Sequence, residues 1–290
     1  MIADLELVRI DGKPAAVADA CVPVLERGLH YGEGLFETLA CVGGQPRLLE
    51  RHLRRLQLGC ERLGFDPIDA ATLAREVREL AAGASHAVIK LLLTRGAAAR
   101  GYALTGRERT RRISLRYAWK AEDPARMEQG VRVRLATLRL GENPALAGIK
   151  HCNRLEQVLA RREWSDPAIA DALMFSRSGA LVSGTMSNVF LVRESKLLTP
   201  LIDQCGVAGI MRALVLEIAT ANGISAEECR LEAADVAAAG ELFLTNALMG
   251  ICPVCELEGV RRAPGPLTRA LQQKLAARLA AEANRGGADG

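Results

Sequence analysis

No run of about eighteen uncharged apolar residues occurs in this 290-residue chain, so a membrane-spanning helix has no sequence to form from. The first ten residues, MIADLELVRI, carry acids where a secretory leader would carry bases, and a cytoplasmic protein is expected. Histidine is scarce, with only His30, His52, His86 and His151, and no G-x-S-x-G elbow accompanies them, which leaves a serine-hydrolase triad without support. The eight cysteines (21, 41, 60, 152, 205, 229, 252, 255) are scattered, several inside apolar runs. They read as reduced core residues rather than disulfides. Cys252 and Cys255 form one C-x-x-C, but no second ligand pair stands at structural-zinc spacing, and no metal is assigned. The formal charge of +4 is small and the arginines are spread along the chain, which argues against a nucleic-acid-binding face. Internal repeats are absent.

What is present is a hydrophobic content of 49%, enough for a sizeable core in one large or two modest domains. Residues 4 to 25 read as short strands around an Asp11-Gly12 hairpin turn. Leu49, Leu53, Leu56, Cys60 and Leu63 recur at spacings of four and three, which predicts an amphipathic helix with a basic opposite face bearing Arg51, Arg54 and Arg55. A second helix is expected from about Asp69 to Ala82, a buried strand over Ala87 to Thr94 and another strand over Ile113 to Trp119. The polar stretch from Lys120 to Gln129, with Pro124, is the best boundary. It divides the chain into a smaller N-terminal α/β domain (1–121), a linker (122–129) and a larger C-terminal α/β domain (130–290). Beyond it come strands from Val131 to Leu138, a helix from Asn153 to about Trp164, and then a mainly antiparallel sheet. A strand over Glu241 to Leu248 and a C-terminal helix over Leu267 to Ala281 follow, with Glu282 to Gly290 expected to be disordered.

Lys150 stands out within NPALAGIKHCNRLEQVLARR. Only six lysines (Lys13, Lys90, Lys120, Lys150, Lys196, Lys274) are found among 38 Lys+Arg, and this one follows Leu146, Ala147, Gly148 and Ile149. Asn153 with Glu156 three residues on reads as a helix start, which leaves Lys150 just outside the helix and held by backbone. A desolvated lysine loses its proton readily, and a neutral amine attacks carbonyls to form a Schiff base; a surface lysine near a helix start is the competing reading. Gly206 to Arg212 opens a helix through glycine. Such an entry presents amide donors that suit a phosphate, or it is a flexible helix start. Arg100 and Tyr102 lie on a Gly/Ala loop, where an arginine faces solvent or meets a carboxylate.

GIKHCNRLEQVLAR resembles the lysine segment of the branched-chain and D-amino-acid aminotransferase-like family of fold type IV pyridoxal-phosphate enzymes, and in particular its lyase branch. The likeness runs over nearly the whole chain in order, through RGLHYGEGLFET (27–38), HLRRL (52–56), TRGAAARGY (94–102), SGTMSNVF (183–190), GVAGIMR (206–212) and TNALMGICPV (245–254). The resemblance implies a two-domain α/β (α+β) fold of the D-amino-acid aminotransferase type, with pyridoxal 5'-phosphate carried by Lys150. It implies that Arg55 reaches the phosphate, that the backbone at Gly209, Ile210 and Met211 and at Asn246 and Ala247 completes the phosphate site, and that Thr38 offers a hydroxyl near the lysine. Tyr31, Arg100 and Tyr102 would meet the substrate, a small molecule. Ser183 stands five residues before Asn188, where many relatives carry a glutamate against the pyridine nitrogen; Glu156 or Asp203 would be the acids able to replace it. The implied reaction converts 4-amino-4-deoxychorismate to 4-aminobenzoate and pyruvate in folate biosynthesis. The implied assembly is a homodimer that engages neither nucleic acid nor membrane. An aminotransferase acting on D- or branched-chain amino acids is the alternative of the same fold, and a cofactor-free binding protein the alternative of another class.

Overall fold

The structure, a computed structural model, describes residues 4–120 and 124–286. The described residues divide into two compact units, one of residues 4–120, 149–153 and 282–286, the other of residues 124–148 and 154–281.

In chain order the first unit contains β1 (Leu5–Ile10), β2 (Lys13–Ala15), α1 (Arg27–Tyr31), β3 (Gly34–Val42), β4 (Gln45–Pro46), α2 (Leu49–Leu63), α3 (Ala70–Ala81), β5 (His86–Thr94) and β6 (Arg111–Ala118). Its strands make one antiparallel sheet in the order β2-β1-β6-β5-β3-β4. The Asp11-Gly12 turn has both φ angles positive, 54° and 81°, as a two-residue hairpin that follows the strand twist requires. On β5 the side chains alternate: Ala87, Ile89, Leu91 and Leu93 are buried, while Val88, Lys90 and Leu92 are half-buried. The apolar stripes of α2 (Leu49, Leu53, Leu56, Cys60) and α3 (Leu73, Val77, Leu80) are buried likewise, and α2 lies so near β3 that a methyl added at Gly59 would come within 2.9 Å of Leu35. β3 therefore has two characters. Leu35, Glu37, Leu39 and Cys41 are buried, and the alternate Phe36 and Thr38 are only half-buried.

The second unit contains α4 (Pro124–Gln129), β7 (Val131–Leu140), α5 (Leu155–Arg161), β8 (Ile169–Ser176), β9 (Leu181–Gly184), β10 (Asn188–Arg193) and β11 (Lys196–Pro200), then α6 (Ile210–Ala221), β12 (Ala226–Cys229), α7 (Ala233–Ala238), β13 (Glu241–Asn246), β14 (Gly250–Leu257), β15 (Val260–Arg261) and α8 (Pro266–Gly286). Its nine-stranded sheet is mainly antiparallel, as expected, with β8–β9 and β10–β11 among the antiparallel pairs, but it also holds parallel pairs: β7 with β8 and β14, and β11 with β12. Two cores explain this. Leu173 and Phe175 of β8 pack with Val133, Leu181 and Val189, while Ala172 and Met174 pack with Ala136, Leu140, Trp164 and Val182, so both faces of β8 are covered, as parallel strands need.

Four expectations change. The stretch taken as a linker carries α4: Pro124 suits the first helical position, and the Met127 carbonyl accepts from Arg269 (3.1 Å) and Gln272 (2.9 Å). Residues 121–123 lie outside the described residues. Ile149 to Asn153 group with the first unit, because residues 150–152 pair with β3. Asn153 does not cap a helix; α5 starts after Arg154 without a side-chain cap, and the Asn153 amide donates to Gly32 O (3.2 Å), while Glu156 accepts from Gly141 N (2.7 Å). The C-terminal helix continues through Gly286, so 282–286 are helical rather than disordered, and 287–290 lie outside the described residues. The Cys252 and Cys255 pair sits on β14, where positions three apart face opposite sides, and Cys252 alone joins the core. Among the described residues no His/Cys/Asp/Glu group fits a metal, and no helix is long and apolar enough to cross a membrane.

Asp69 anchors α3, accepting from Ala71 N (3.0 Å), Thr72 N (3.1 Å) and Thr72 Oγ1 (2.7 Å). Replacing it with alanine is expected to lower stability, since the first-turn amides lose their acceptor. Urea unfolding checks this: the midpoint should fall at unchanged slope, and an unmoved midpoint would deny Asp69 the role.

Candidate active site

Lys150 is fixed through its backbone. Phe36 N donates to Lys150 O (2.9 Å), Cys152 N donates to Gly34 O (2.8 Å), and Leu35 bridges His151 in antiparallel register. This pairing turns the Lys150 side chain to the side of Phe36, where Nζ lies 4.3 Å from the ring centroid. Lys90 Nζ lies 5.4 Å from the same ring. Thr38 sits one alternation further along β3, on the face that Phe36 and Lys150 share.

Arg55 points at a carboxylate. Its Nε donates to Glu37 Oε1 (2.7 Å) and its Nη2 to Oε2 (2.5 Å), while His52 Nδ1 lies 2.6 Å from the same Oε2. Burial alone would push the Glu37 carboxyl up, but the Arg55 charge and the hydrogen bonds from His52 and Arg55 outweigh it and hold the group at about 2. Burial likewise pushes His52 down, so it is neutral, and since an ionised Glu37 only accepts, Nδ1 carries the proton. A two-point grip fixes the guanidinium plane. Arg55 is thus singled out from Arg51 and Arg54 by Glu37, an acid that sequence reasoning passed over although it stands alone within the apolar run LFETLACV.

Tyr31 and Tyr102 come together, with ring centroids 5.2 Å apart, and Gly101 N donates to the Tyr31 hydroxyl (3.2 Å). Tyr102 and Arg100 are exposed on either side of Gly101.

In the second unit, the segment before the lysine pairs with the glycine turn: Gly148 N donates to Gly206 O and Ala208 N to Gly148 O, both at 3.0 Å. Asn188 Nδ2 donates to Val207 O (2.9 Å), and a methyl at Gly209 would sit 1.9 Å from Asn188 Oδ1, so only glycine fits there. α6 follows without a side-chain cap, which leaves the first-turn amides of Ile210 and Met211 outside the helix ladder. Directly opposite Asn188 on β13 stands Thr245, wholly buried, whose Oγ1 has no partner among the described residues. A buried hydroxyl without a partner beside a glycine-opened helix of twelve residues fits a phosphate group. Asn188 was not singled out as a site residue from the sequence, and Thr245 entered through the 245–254 segment that carries the family resemblance; the pairing of the two across strands is invisible in the local pattern. Asn246 uses its Oδ1 on Leu248 N and Met249 N, both at 2.9 Å, so its side chain builds the turn before Ala247 and Gly250. Ser183 is buried and donates to Gly184 O (2.8 Å). The nearby acid is neither Glu156, taken up by Gly141, nor the exposed Asp203. It is Asp171, and that carboxylate accepts from Ala172 N, Thr185 N, Thr185 Oγ1 and Ser187 Oγ.

These features meet known proteins. The model of the amino-transferase class IV family matches residues 34–257. Aminodeoxychorismate lyase of Vibrio harveyi is 33% identical over 258 residues, spanning 88% of this chain and 95% of that one. The crystal structure of 4-amino-4-deoxychorismate lyase from Pseudomonas aeruginosa superposes with a TM-score of 0.89 at 45% identity, over 94% of this chain and 99% of that one. Escherichia coli branched-chain amino acid aminotransferase, at 23% identity and a TM-score of 0.85 over 95% of both chains, shares the fold. The chain belongs to the amino-transferase class IV family, with the fold type IV architecture.

Glu37 makes acid stability legible. A carboxyl held at about 2 instead of 4.5 contributes about 3 kcal/mol, present in full above pH 4.5 and lost as pH falls through 2. Glu37→Gln should destabilise the protein at pH 7 by about 3 to 5 kcal/mol, because Arg55 loses its buried partner, and should flatten the stability curve between pH 4.5 and 2. Chemical denaturation at stepped pH measures both, and parallel curves for the two proteins would exclude the assignment.

Proposed function

We propose that this chain is an aminodeoxychorismate lyase that converts 4-amino-4-deoxychorismate to 4-aminobenzoate and pyruvate, a step of folate biosynthesis. The observation that carries the reading is Lys150, held by two backbone hydrogen bonds beside Phe36 in the matched lysine segment. The lyases from Vibrio harveyi and Pseudomonas aeruginosa support lyase over aminotransferase chemistry.

The enzyme uses pyridoxal phosphate, which when bound draws electrons from the carbon bearing the substrate amine. Lys150 Nζ would hold the cofactor and, when free, serve as the base at the carbon bearing the substrate amine. Thr38 supplies a hydroxyl on the lysine's face of β3. Arg55, oriented by Glu37, and the amides of Ile210 and Met211, with the backbone at Gly209, Asn246 and Ala247, bind phosphate. Arg100 meets a substrate carboxylate, and Tyr31 and Tyr102 flank the ring. The working form is a cytoplasmic homodimer acting on a small molecule, without nucleic acid or membrane.

Turnover decides the reaction: the purified protein should release pyruvate and 4-aminobenzoate from 4-amino-4-deoxychorismate, and borohydride fixation followed by peptide mass spectrometry should place the pyridoxyl group on Lys150. Keto-acid formation from amino acids without pyruvate release would make it an aminotransferase. A label on Lys90 or Lys196 would displace Lys150.

Ser183 bears on selectivity. Its hydroxyl proton goes to Gly184 O, so it offers a pyridine nitrogen a neutral acceptor, which stabilises the protonated ring less than a carboxylate does. Electron withdrawal is then weaker, which penalises transamination, whereas forming an aromatic product drives the lyase reaction forward. Ser183→Glu should raise the ratio of transaminase to lyase turnover about tenfold, the worth of one hydrogen bond to a charged group, and shift the cofactor's absorbance. A ratio and spectrum both unchanged would dismiss this account.

A further inference from the structure

Arg27 donates through all three of its guanidinium nitrogens, yet no role in the proposed reaction falls to it. It is 4% exposed. Its Nε donates to Glu33 Oε2 (2.5 Å), its Nη1 to Gly101 O (2.8 Å) and its Nη2 to Tyr102 O (3.1 Å), and its guanidinium carbon lies 4.9 Å from the Tyr31 centroid. Two of the three donating nitrogens thus hold consecutive carbonyls of one loop. On its amide side Gly101 is held as well, since its N–H donates to the Tyr31 hydroxyl at 3.2 Å. Gly101 has φ 109°, a conformation that only glycine adopts without strain. The start of the same loop is tied down by neighbours of Arg27: Glu26 Oε1 accepts from Gly96 N (2.8 Å), and Arg27 N donates to Gly96 O (3.0 Å).

A guanidinium buried among carbonyls is costly to desolvate and adds little net stability, so its effect lies in geometry. Here the geometry concerns the two residues flanking Gly101. Arg100 and Tyr102 are both exposed, and among the described residues their side chains have no contact but the Tyr31–Tyr102 ring pair. We propose that Arg27 is a positioning residue for substrate binding: by holding the Gly101 and Tyr102 carbonyls it presets the directions of the Arg100 and Tyr102 side chains, so that the ordering of this loop is complete before substrate arrives. The proposal rests on the reading of Arg100 and Tyr102 as substrate contacts. Preset contacts improve binding by removing the entropy of ordering a loop, so the effect falls on KM more than on kcat.

The test uses the cofactor-loaded enzyme and the variants Arg27→Gln and Arg27→Lys, the second keeping the charge beside Glu33 and Tyr31 but unable to span both carbonyls. In Arg27→Gln, amide exchange over residues 99–103 should quicken about tenfold or more while residues 87–93 of β5 keep their protection, and KM for 4-amino-4-deoxychorismate should rise about tenfold with kcat changed less than about threefold. Arg27→Lys should fall between, and should carry the comparison if the glutamine variant does not fold. Unchanged exchange over 99–103, or a loosened loop with KM unaltered, overturns the proposal. If the wild-type enzyme does not turn over 4-amino-4-deoxychorismate, the lyase reading fails instead. The exchange measurement still reports the tether, and the KM comparison is then made with the amino acid the enzyme does use.

Discussion

Two backbone hydrogen bonds, Phe36 N to Lys150 O and Cys152 N to Gly34 O, decide where the lysine stands. A lysine side chain has four rotatable bonds, but its Cα here is fixed by strand pairing, and that pairing has only two outcomes. In the observed register Leu35 and His151 share one side and Phe36 and Lys150 the other. Slipping by one residue would turn Phe36 and Thr38 to the covered side and bring Leu35 and Glu37 to the half-buried one. Leu35 is 2% exposed and closely packed against Gly59 of α2, so the slip would expose an apolar side chain. The position of Lys150 is therefore enforced by the hydrophobic pattern of a strand to which it does not belong.

The same strand explains why a carboxylate lies under the sheet. Glu37 falls on the covered side by alternation, where an isolated carboxylate would be strongly disfavoured. Replacing such an ion pair by apolar residues is often neutral or stabilising, so stability alone does not account for it. What the pair supplies is direction. Both carboxylate oxygens meet Arg55, and His52 supports one of them, so the guanidinium is held by a base fixed in β3 while its helix is held by Leu53 and Leu56. Phe36 and Glu37 are adjacent residues, and through them one strand orients both the lysine and the arginine.

Local signals carried α2, α3, β5 and α6 into view, through apolar spacing in α2, an apolar run in β5 and a glycine entry in α6, because each signal lies within a few consecutive residues. They failed where a longer-range partner took precedence. Asn153 has the chemistry of a helix cap, but its side chain is engaged by Gly32, more than a hundred residues earlier. β14 was not read as a strand, and α4 was hidden behind a composition suggestive of a linker. In each case the residue types were compatible with two structures, and packing chose. The site divides the same way. Lys150 stood out by its setting in the sequence, and Tyr31, Thr38, Gly209 and Thr245 came through the family resemblance, whereas Glu37, Asn188 and Arg27 acquire meaning only from strand pairing or loop contacts.

Within the second unit this dependence has a direction. Asp171 on β8 accepts from Thr185 and Ser187, fixing the turn that leads into Asn188; Asn188 in turn holds Val207 and excludes any side chain at Gly209, where α6 opens. The entry to α6 is thus positioned by a relay of hydrogen bonds that begins on β8 and never passes through Ser183, whose hydroxyl turns back to Gly184 O. A relay of this kind tolerates change beside it far better than change within it, because a substitution outside the relay leaves none of its buried acceptors unpaired. The acid at Asp171 is committed to structure and unable to substitute for a carboxylate at 183. On the proposed reading, position 183 can therefore vary in its chemistry toward a bound ring while the entry to α6 keeps its geometry.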